Sequence, residues 1–274
     1  MATWLITGCS TGLGHALAQA ALEHGDNVVA TARDTANLQT LVDAHPDSAL
    51  AVTLDVTNQV QIDAAVDAAQ QRFRGVDVLV NNAGYGYRGA VEEASDADAR
   101  TLFDTHFFGS VAMIKAVLPG MRARRSGTIV TISSIGARIT PPGSGYYSAA
   151  KAALEGMSGS LRTELEPLGI TAMIVEPGGF RTDFSGRSLR GAAVAIADYA
   201  ETVGPRRKEN DTSHGTQAGD PAKAALAIIS AVESPAPPAV LLLGSDALDA
   251  YRRVLDAQRA ETDEWETTSR STDF

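Results

Sequence analysis

Short apolar runs alternate with longer amphipathic stretches along this chain of 274 residues. The runs at 3–7, 27–32, 50–54, 76–81, 128–133, 171–175 and 239–243 are rich in Val, Ile, Leu and Thr. That composition predicts strands. Several are apolar at every position, as in Val78-Leu79-Val80 and Leu241-Leu242-Leu243, the pattern of strands buried on both faces. Between them, segments 13–24, 35–44, 58–73, 95–122, 145–168 and 221–231 carry helical periodicity. Regular alternation of this kind predicts a parallel sheet covered by helices on both faces. Seven strands fit one doubly wound α/β domain over residues 1–260, with ligand sites beyond the carboxyl ends of the strands.

Two stretches break the alternation. Residues 183–220 are rich in Gly, Ala and charge and include Gly204-Pro205-Arg206-Arg207-Lys208. An insertion of that length near a ligand edge reads as a lid, or more plainly as a surface loop. Residues 261–274 are polar and read as a surface tail or a contact within an oligomer.

Composition narrows the field. The chain is 44% hydrophobic and 20% charged, as a globular protein with a full core should be. Its formal net charge of −10 disfavours nucleic acid or an anionic membrane as the main partner. The basic residues Arg122, Arg124 and Arg125 suit the C-terminal end of a solvated helix. The single cysteine, Cys9, excludes an intramolecular disulfide and fits a reducing cytosol. No apolar run reaches the roughly 20 residues of a membrane span, and residues 3–7 read as a strand rather than a signal peptide. A cytoplasmic protein without a metal site is expected.

The first strand runs into Thr7-Gly8-Cys9-Ser10-Thr11-Gly12-Leu13-Gly14, which opens the first helix. Glycines at these positions permit a tight turn and close backbone approach, and the helix N-terminus offers amide donors to a phosphate. With a second strand about twenty residues on, the context is that of a Rossmann dinucleotide site. The end of the second strand bears on NAD against NADP. A carboxylate there serves the ribose of NAD, whereas an arginine accommodates a 2′-phosphate. Here Ala32 takes the acidic position and Arg33 follows, which points to NADP(H) over NAD(H). Ser10 and Thr11 add hydroxyls. Asp34 either serves a ribose or caps the next helix.

Tyr147 and Lys151 lie four apart in a predicted helix and so share a face. A phenol has a pKa of about 10, and a fixed cation beside it favours the phenolate. Reaching about 7 requires roughly 4 kcal/mol of anion stabilisation, within reach of a lysine and a second cation. Tyr147 would then pass protons near neutral pH. Tyr146 is a rival, but it is five positions from Lys151 and off its face. Cys9 reads as small filler inside the turn.

These features together resemble the short-chain dehydrogenase/reductase family in its non-extended form, over about residues 2–245. Thr7 to Gly14 matches the family's TGxxxGxG, and Asp55-Val56 its adenine-contacting acidic site. Asn81-Asn82-Ala83-Gly84 matches NNAG. Ser134, thirteen residues before Tyr147, matches the catalytic serine, with Tyr147 and Lys151 as the YxxxK pair. Pro177-Gly178 with Thr182 matches the segment that orients the nicotinamide. The wording around Thr7 and Ala30-Thr31-Ala32-Arg33-Asp34 is similar to the steroid and retinol dehydrogenase branch, which mostly uses NADP(H). One position departs. His106 stands where the family carries an asparagine whose main chain holds a water linking the lysine to solvent. It reads either as a modified proton relay or as a helix-bend residue with a satisfied ring.

The resemblance implies hydride transfer between nicotinamide and a carbonyl or secondary alcohol. Tyr147 is the proton donor in reduction, Lys151 lowers its pKa and binds the nicotinamide ribose, and Ser134 hydrogen-bonds the carbonyl oxygen. Tyr85, Tyr87, Ile135, Pro141, Phe180 and Phe184 are expected to wall an apolar substrate pocket, with Arg88 and Arg138 as polar contacts. Two other readings stay open: a non-catalytic NADP-binding regulator, and a relative of sugar-nucleotide epimerases or dehydratases. The latter usually carry a larger C-terminal domain than the thirty or so residues left here. A homodimer or homotetramer through the two long helices is also implied.

Overall fold

A computed structural model of the chain describes residues 1–186, 188–213 and 215–274. The strands are β1 (Thr3–Ile6), β2 (Asn27–Ala32), β3 (Ala49–Thr53), β4 (Val78–Asn81), β5 (Gly86–Arg88), β6 (Gly127–Ile132), β7 (Ile170–Pro177), β8 (Leu189–Gly191) and β9 (Val240–Leu243). Seven of them form one parallel sheet in the order β3-β2-β1-β4-β6-β7-β9. Each lies within two residues of its expected run. The order reverses between β1 and β4, so a crevice opens beyond the carboxyl ends of those two strands.

The helices are α1 (Gly12–Glu23), α2 (Gln39–Ala44), α3 (Gln59–Phe73), α4 (Asp96–Phe103), α5 (Gly109–Arg124), α6 (Gly136–Ile139), α7 (Gly145–Leu165), α8 (Gly204–Ser213), α9 (Pro221–Glu233), α10 (Ser245–Glu264) and α11 (Glu266–Arg270). One face of the sheet packs Trp4, Ile6, Val28 and Val130 against Leu17, Ala21, Ile228 and Ile229 of α1 and α9. The opposite face packs Leu5, Val29, Leu79 and Ile129 against Ile62, Met113, Val117 and Leu161 of α3, α5 and α7. The sheet is therefore buried on both sides, which accounts for its unbroken apolar runs.

Four features differ from the pattern-based reading. The helix expected at 95–122 is interrupted by a π-helical turn, Asp104–Phe108, which contains His106. An extra residue in one turn leaves the apolar spacing nearly unchanged, so periodicity does not reveal it. A second sheet of two strands pairs β5 with β8, Gly86 opposite Leu189 and Arg88 opposite Gly191. Three-residue strands are too short to show alternation. α8 lies inside the 183–220 segment, of which Arg187 and His214 fall outside the described residues. α10 extends from Ser245 into the region read as a tail, with only Ala247 and Ala250 buried, and its outer turns and α11 are exposed. So small a buried face carries little apolar signal. Among the described residues, no helix is long and apolar enough to cross a membrane.

Candidate active site

The turn after β1 is shaped by glycines where no other residue fits. Gly8 and Gly12 have φ of +74° and +64°, the left-handed region that favours glycine. A Cβ on Gly8 would stand 2.9 Å from the Ala83 Cα, and one on Gly14 would stand 2.5 Å from the Gly8 carbonyl oxygen. Thr7 Oγ1 accepts the amides of Asn82 and Ala83, both at 2.9 Å. Asn82 Nδ2 in turn donates to the carbonyls of Thr7 (2.8 Å) and Gly8 (3.1 Å). The turn is thus stapled to the end of β4, across the point where strand order reverses.

A cavity of about 660 Å³ follows this crevice. Gly8, Ser10, Thr11, Gly12 and Leu13 line one end with Arg33, Asp55 and Val56. Asn82, Ala83 and Gly84 form the middle, and Ser134, Tyr147, Lys151, Pro177, Gly178 and Thr182 the other end. Gly14 alone of the expected dinucleotide residues packs behind the wall, where it brings α1 close to Asn82. At the far end, Asp34 Oδ1 accepts the Ala36 amide at 3.0 Å, so its carboxylate is engaged in a local turn. Arg33 is exposed and reaches the cavity. The Asp55 carboxyl is held below its usual range by Thr57 hydrogen bonds and, less strongly, by Arg33, against the opposing effect of burial.

Ser134, Tyr147 and Lys151 converge at the opposite end. The loop after β6 brings Ser134 into place, and its Oγ accepts the Gly136 amide at 3.0 Å. Gly136 sits between these two side chains: a Cβ there would stand 3.2 Å from Ser134 Oγ and 3.3 Å from Tyr147 Cε1. Tyr147 and Lys151 are buried one turn apart on α7. Lys151 Nζ stands 5.8 Å from the Tyr147 ring centroid and donates to the Ile132 carbonyl at 2.8 Å. Burial lowers Lys151 to about 8, with Glu155 opposing. Burial raises the Tyr147 phenol above its usual 10, and a Ser134 hydrogen bond and the Arg88 charge pull it partway back. The expected lowering is therefore outweighed by desolvation. Tyr146 packs beside Tyr87 and Tyr147 and does not line the cavity.

His106 is 1% exposed. Its Nε2 lies 3.0 Å from the Tyr85 amide and 2.9 Å from the Tyr85 carbonyl. One nitrogen serves only one of these at a time, as acceptor or as donor. The ring stands edge-on to Tyr147 at 5.8 Å between centroids. A Cβ on Gly84 would stand 2.5 Å from His106 Cε1, so glycine is what admits the imidazole. Burial and the Lys151 charge drive its pKa well below the usual 6.5. Its carbonyl accepts Ser110 Oγ at 2.7 Å.

Of the expected pocket walls, Tyr85, Phe180 and Phe184 line the cavity. The Phe184 ring lies 5.9 Å from that of Tyr147. Ile135, Tyr87 and Pro141 do not line it. Ile135 packs against Ala247 and Ala250 of α10, a partner with no sequence signature, and Tyr87 is buried with its hydroxyl 3.4 Å from Asp98. Lining residues that pattern reading missed include Thr105, Ser188, Arg190 and Gln217. Arg190 stacks over Tyr85, 4.3 Å from the ring centroid. Its placement depends on the β5–β8 pairing across a hundred residues, which leaves no local trace.

Arg138 is also placed differently from expectation. Its Nε and Nη2 fork onto Glu176 (3.2 and 2.9 Å), Nη2 meets Glu155 at 2.9 Å, and Tyr251 stacks on it. Glu155 further accepts Ser133 Oγ at 2.7 Å, and burial followed by the Glu176 charge lifts its carboxyl to about 7. Arg138 thus holds two buried carboxylates together behind the site. Arg138→Leu is expected to cost about 2–4 kcal/mol, because unpaired buried charge is expensive. A carboxyl held above its unfolded value weakens stability as pH rises toward the folded value. Thermal melts of the variant should therefore show a larger deficit at pH 8 than at pH 5. An equal deficit at both would contradict the placement.

Residues 2–192 match the family model for short chain dehydrogenases. The chain belongs to that family and is an oxidoreductase. It is similar to an oxidoreductase, BOA17, of Botryotinia fuckeliana, 38% identical over 97% of both chains. Human retinol dehydrogenase 8 is 43% identical over 73% of this chain and 65% of its own. A crystal structure of a short-chain dehydrogenase from Streptomyces avermitilis superimposes with a TM-score of 0.93, at 46% identity over the full length of both chains.

Proposed function

We propose that the protein is an NADP(H)-dependent reductase of apolar ketones or aldehydes, working in reverse on the corresponding secondary or primary alcohols. The observation that carries this reading is the convergence of Ser134, Tyr147 and Lys151 at one end of a cavity whose other end is the glycine turn with Arg33. The cradle suits a dinucleotide: glycine backbone where a Cβ would collide, a helix N-terminus without a side-chain cap, and a guanidinium at the 2′ end. When bound, the nicotinamide supplies or accepts the hydride.

Ser134 Oγ hydrogen-bonds the carbonyl oxygen as charge develops on it. Tyr147 gives its hydroxyl proton to that oxygen, and its raised pKa keeps the proton loaded at neutral pH. Lys151 supplies positive charge beneath the ring and holds the ribose hydroxyls of the cofactor. Tyr85, Phe180 and Phe184 give the substrate end an apolar wall. His106, neutral and tied to Tyr85, acts as a bend residue that supports this wall and not as a titrating relay. The likeness to retinol dehydrogenase 8 supports the steroid and retinol branch and a hydrophobic substrate.

The 183–220 segment acts in this reading as a lid. Its support is the seating of β8 on β5, the burial of Val203, and an Arg207–Glu93 ion pair that ties α8 to the loop after β5. A panel of apolar and polar ketones with NADPH tests the whole reading. Turnover should favour apolar members, and reduction should decline as pH rises through about 8, where Lys151 loses its charge. Turnover that stays flat to pH 10, or that favours phosphorylated sugars, would defeat it.

A further inference from the structure

Arg88 is a half-buried cation at the end of β5. Its Nη1 donates to the Tyr87 carbonyl at 3.2 Å and to Ser144 Oγ at 3.1 Å. Its Nε is buried and meets no acceptor. Among the described residues, no carboxylate pairs with it. Three influences oppose a charge in this place. Desolvation is the first, and it lowers the Arg88 pKa. The second is the position of Ser144 immediately before α7, at the positive end of the helix dipole. The third is Arg206 of α8, whose pKa is lowered to about 10 by burial and then by Arg88.

Tyr147 lies about one helical turn beyond Ser144, the residue that Arg88 contacts. Tyr87, the neighbour of Arg88, packs in the same cluster as Tyr147. The attraction is mutual: the Arg88 charge lowers the Tyr147 pKa, and the Tyr147 anion raises that of Arg88.

We infer that Arg88 is a positioning residue for proton transfer, whose charge stabilises the Tyr147 anion from the N-terminal end of α7. The inference deepens the proposed function and rests on Tyr147 being the group that passes the proton. It assigns the second cation that the phenol requires to β5, outside the YxxxK segment.

The test compares the wild type with Arg88→Met and Arg88→Lys. In NADP⁺-dependent alcohol oxidation, kcat/KM should rise with pH as Tyr147 ionises. Arg88→Met should move that ascending limb upward by about one unit or more, with the KM for NADP⁺ unchanged and with Arg88→Lys recovering most of the shift. Tyrosinate absorbance, taken as the difference between each protein and its Tyr147→Phe counterpart, reads the same ionisation without turnover. A wild type without oxidation activity would count against the proposed function, while this absorbance still decides the role of Arg88. Superimposable titrations of wild type and Arg88→Met would overturn the inference. So would an unmoved limb with a raised KM for carboxylated substrates alone, which would make Arg88 a substrate contact.

Discussion

Tyr147→Phe should lower kcat for carbonyl reduction by about a thousand-fold, the scale of a positioned general acid. NADPH affinity should stay within a few-fold, because the phenol hydroxyl is small beside the glycine turn, Arg33 and the other groups of the 660 Å³ cavity. The substitution removes only the hydroxyl. The ring, which packs edge-on to His106 and at 5.9 Å from Phe184, keeps its place. Cofactor fluorescence titration and steady-state rates measure the two quantities separately. A variant that keeps a tenth of wild-type kcat would take Tyr147 out of its assigned role.

Arg33→Ala should raise the KM for NADPH by about ten- to a hundred-fold, from the loss of charge-assisted hydrogen bonds worth about 1.5–3 kcal/mol. The KM for NADH should change little. The neighbouring groups explain the asymmetry. Asp34 lines the same end of the cavity, with its Oδ1 engaged by the Ala36 amide. Ala32, at the acidic position of NAD binders, offers no carboxylate. Arg33 reaches the cavity from the exposed end of β2. Parallel initial-rate series with both cofactors decide the matter, and equal effects on the two would contradict NADP(H) preference.

The parts of this protein legible in its sequence are those fixed by local physics. Strand and helix order followed from periodicity, because a sheet buried on both faces imposes long apolar runs such as Val78-Leu79-Val80. The glycine turn was legible because a Cβ at Gly8 or Gly14 collides with backbone. Tyr147 and Lys151 were legible because helix geometry alone puts them on one face.

What escaped depends on contacts between distant segments. Ile135 looked like a wall residue, but α10 covers it through Ala247 and Ala250. Arg138 looked like a substrate contact until Glu155 and Glu176, from α7 and β7, closed around it. The sign of the Tyr147 shift is hidden from sequence for a related reason. Proximity to a cation is readable from spacing, but the depth of burial that outweighs it is a property of the folded cluster. At His106 the sequence leaves two readings; the folded chain buries the ring against Gly84 with Nε2 at the Tyr85 backbone and Nδ1 without a hydrogen-bond partner among the described residues, contacts between segments that no local pattern shows.

In the proposed reaction, hydride moves between nicotinamide and a carbonyl carbon while Tyr147 passes the proton. The most direct measurement follows deuterium from NADPH labelled at C4, on each face in turn, into the product of a ketone that the enzyme turns over in ordinary water. One deuterium is expected on the carbinol carbon from one labelled face and none from the other, with one oxidised cofactor per alcohol formed. Product without deuterium from either face, or substrate converted with no net cofactor oxidation, would contradict it.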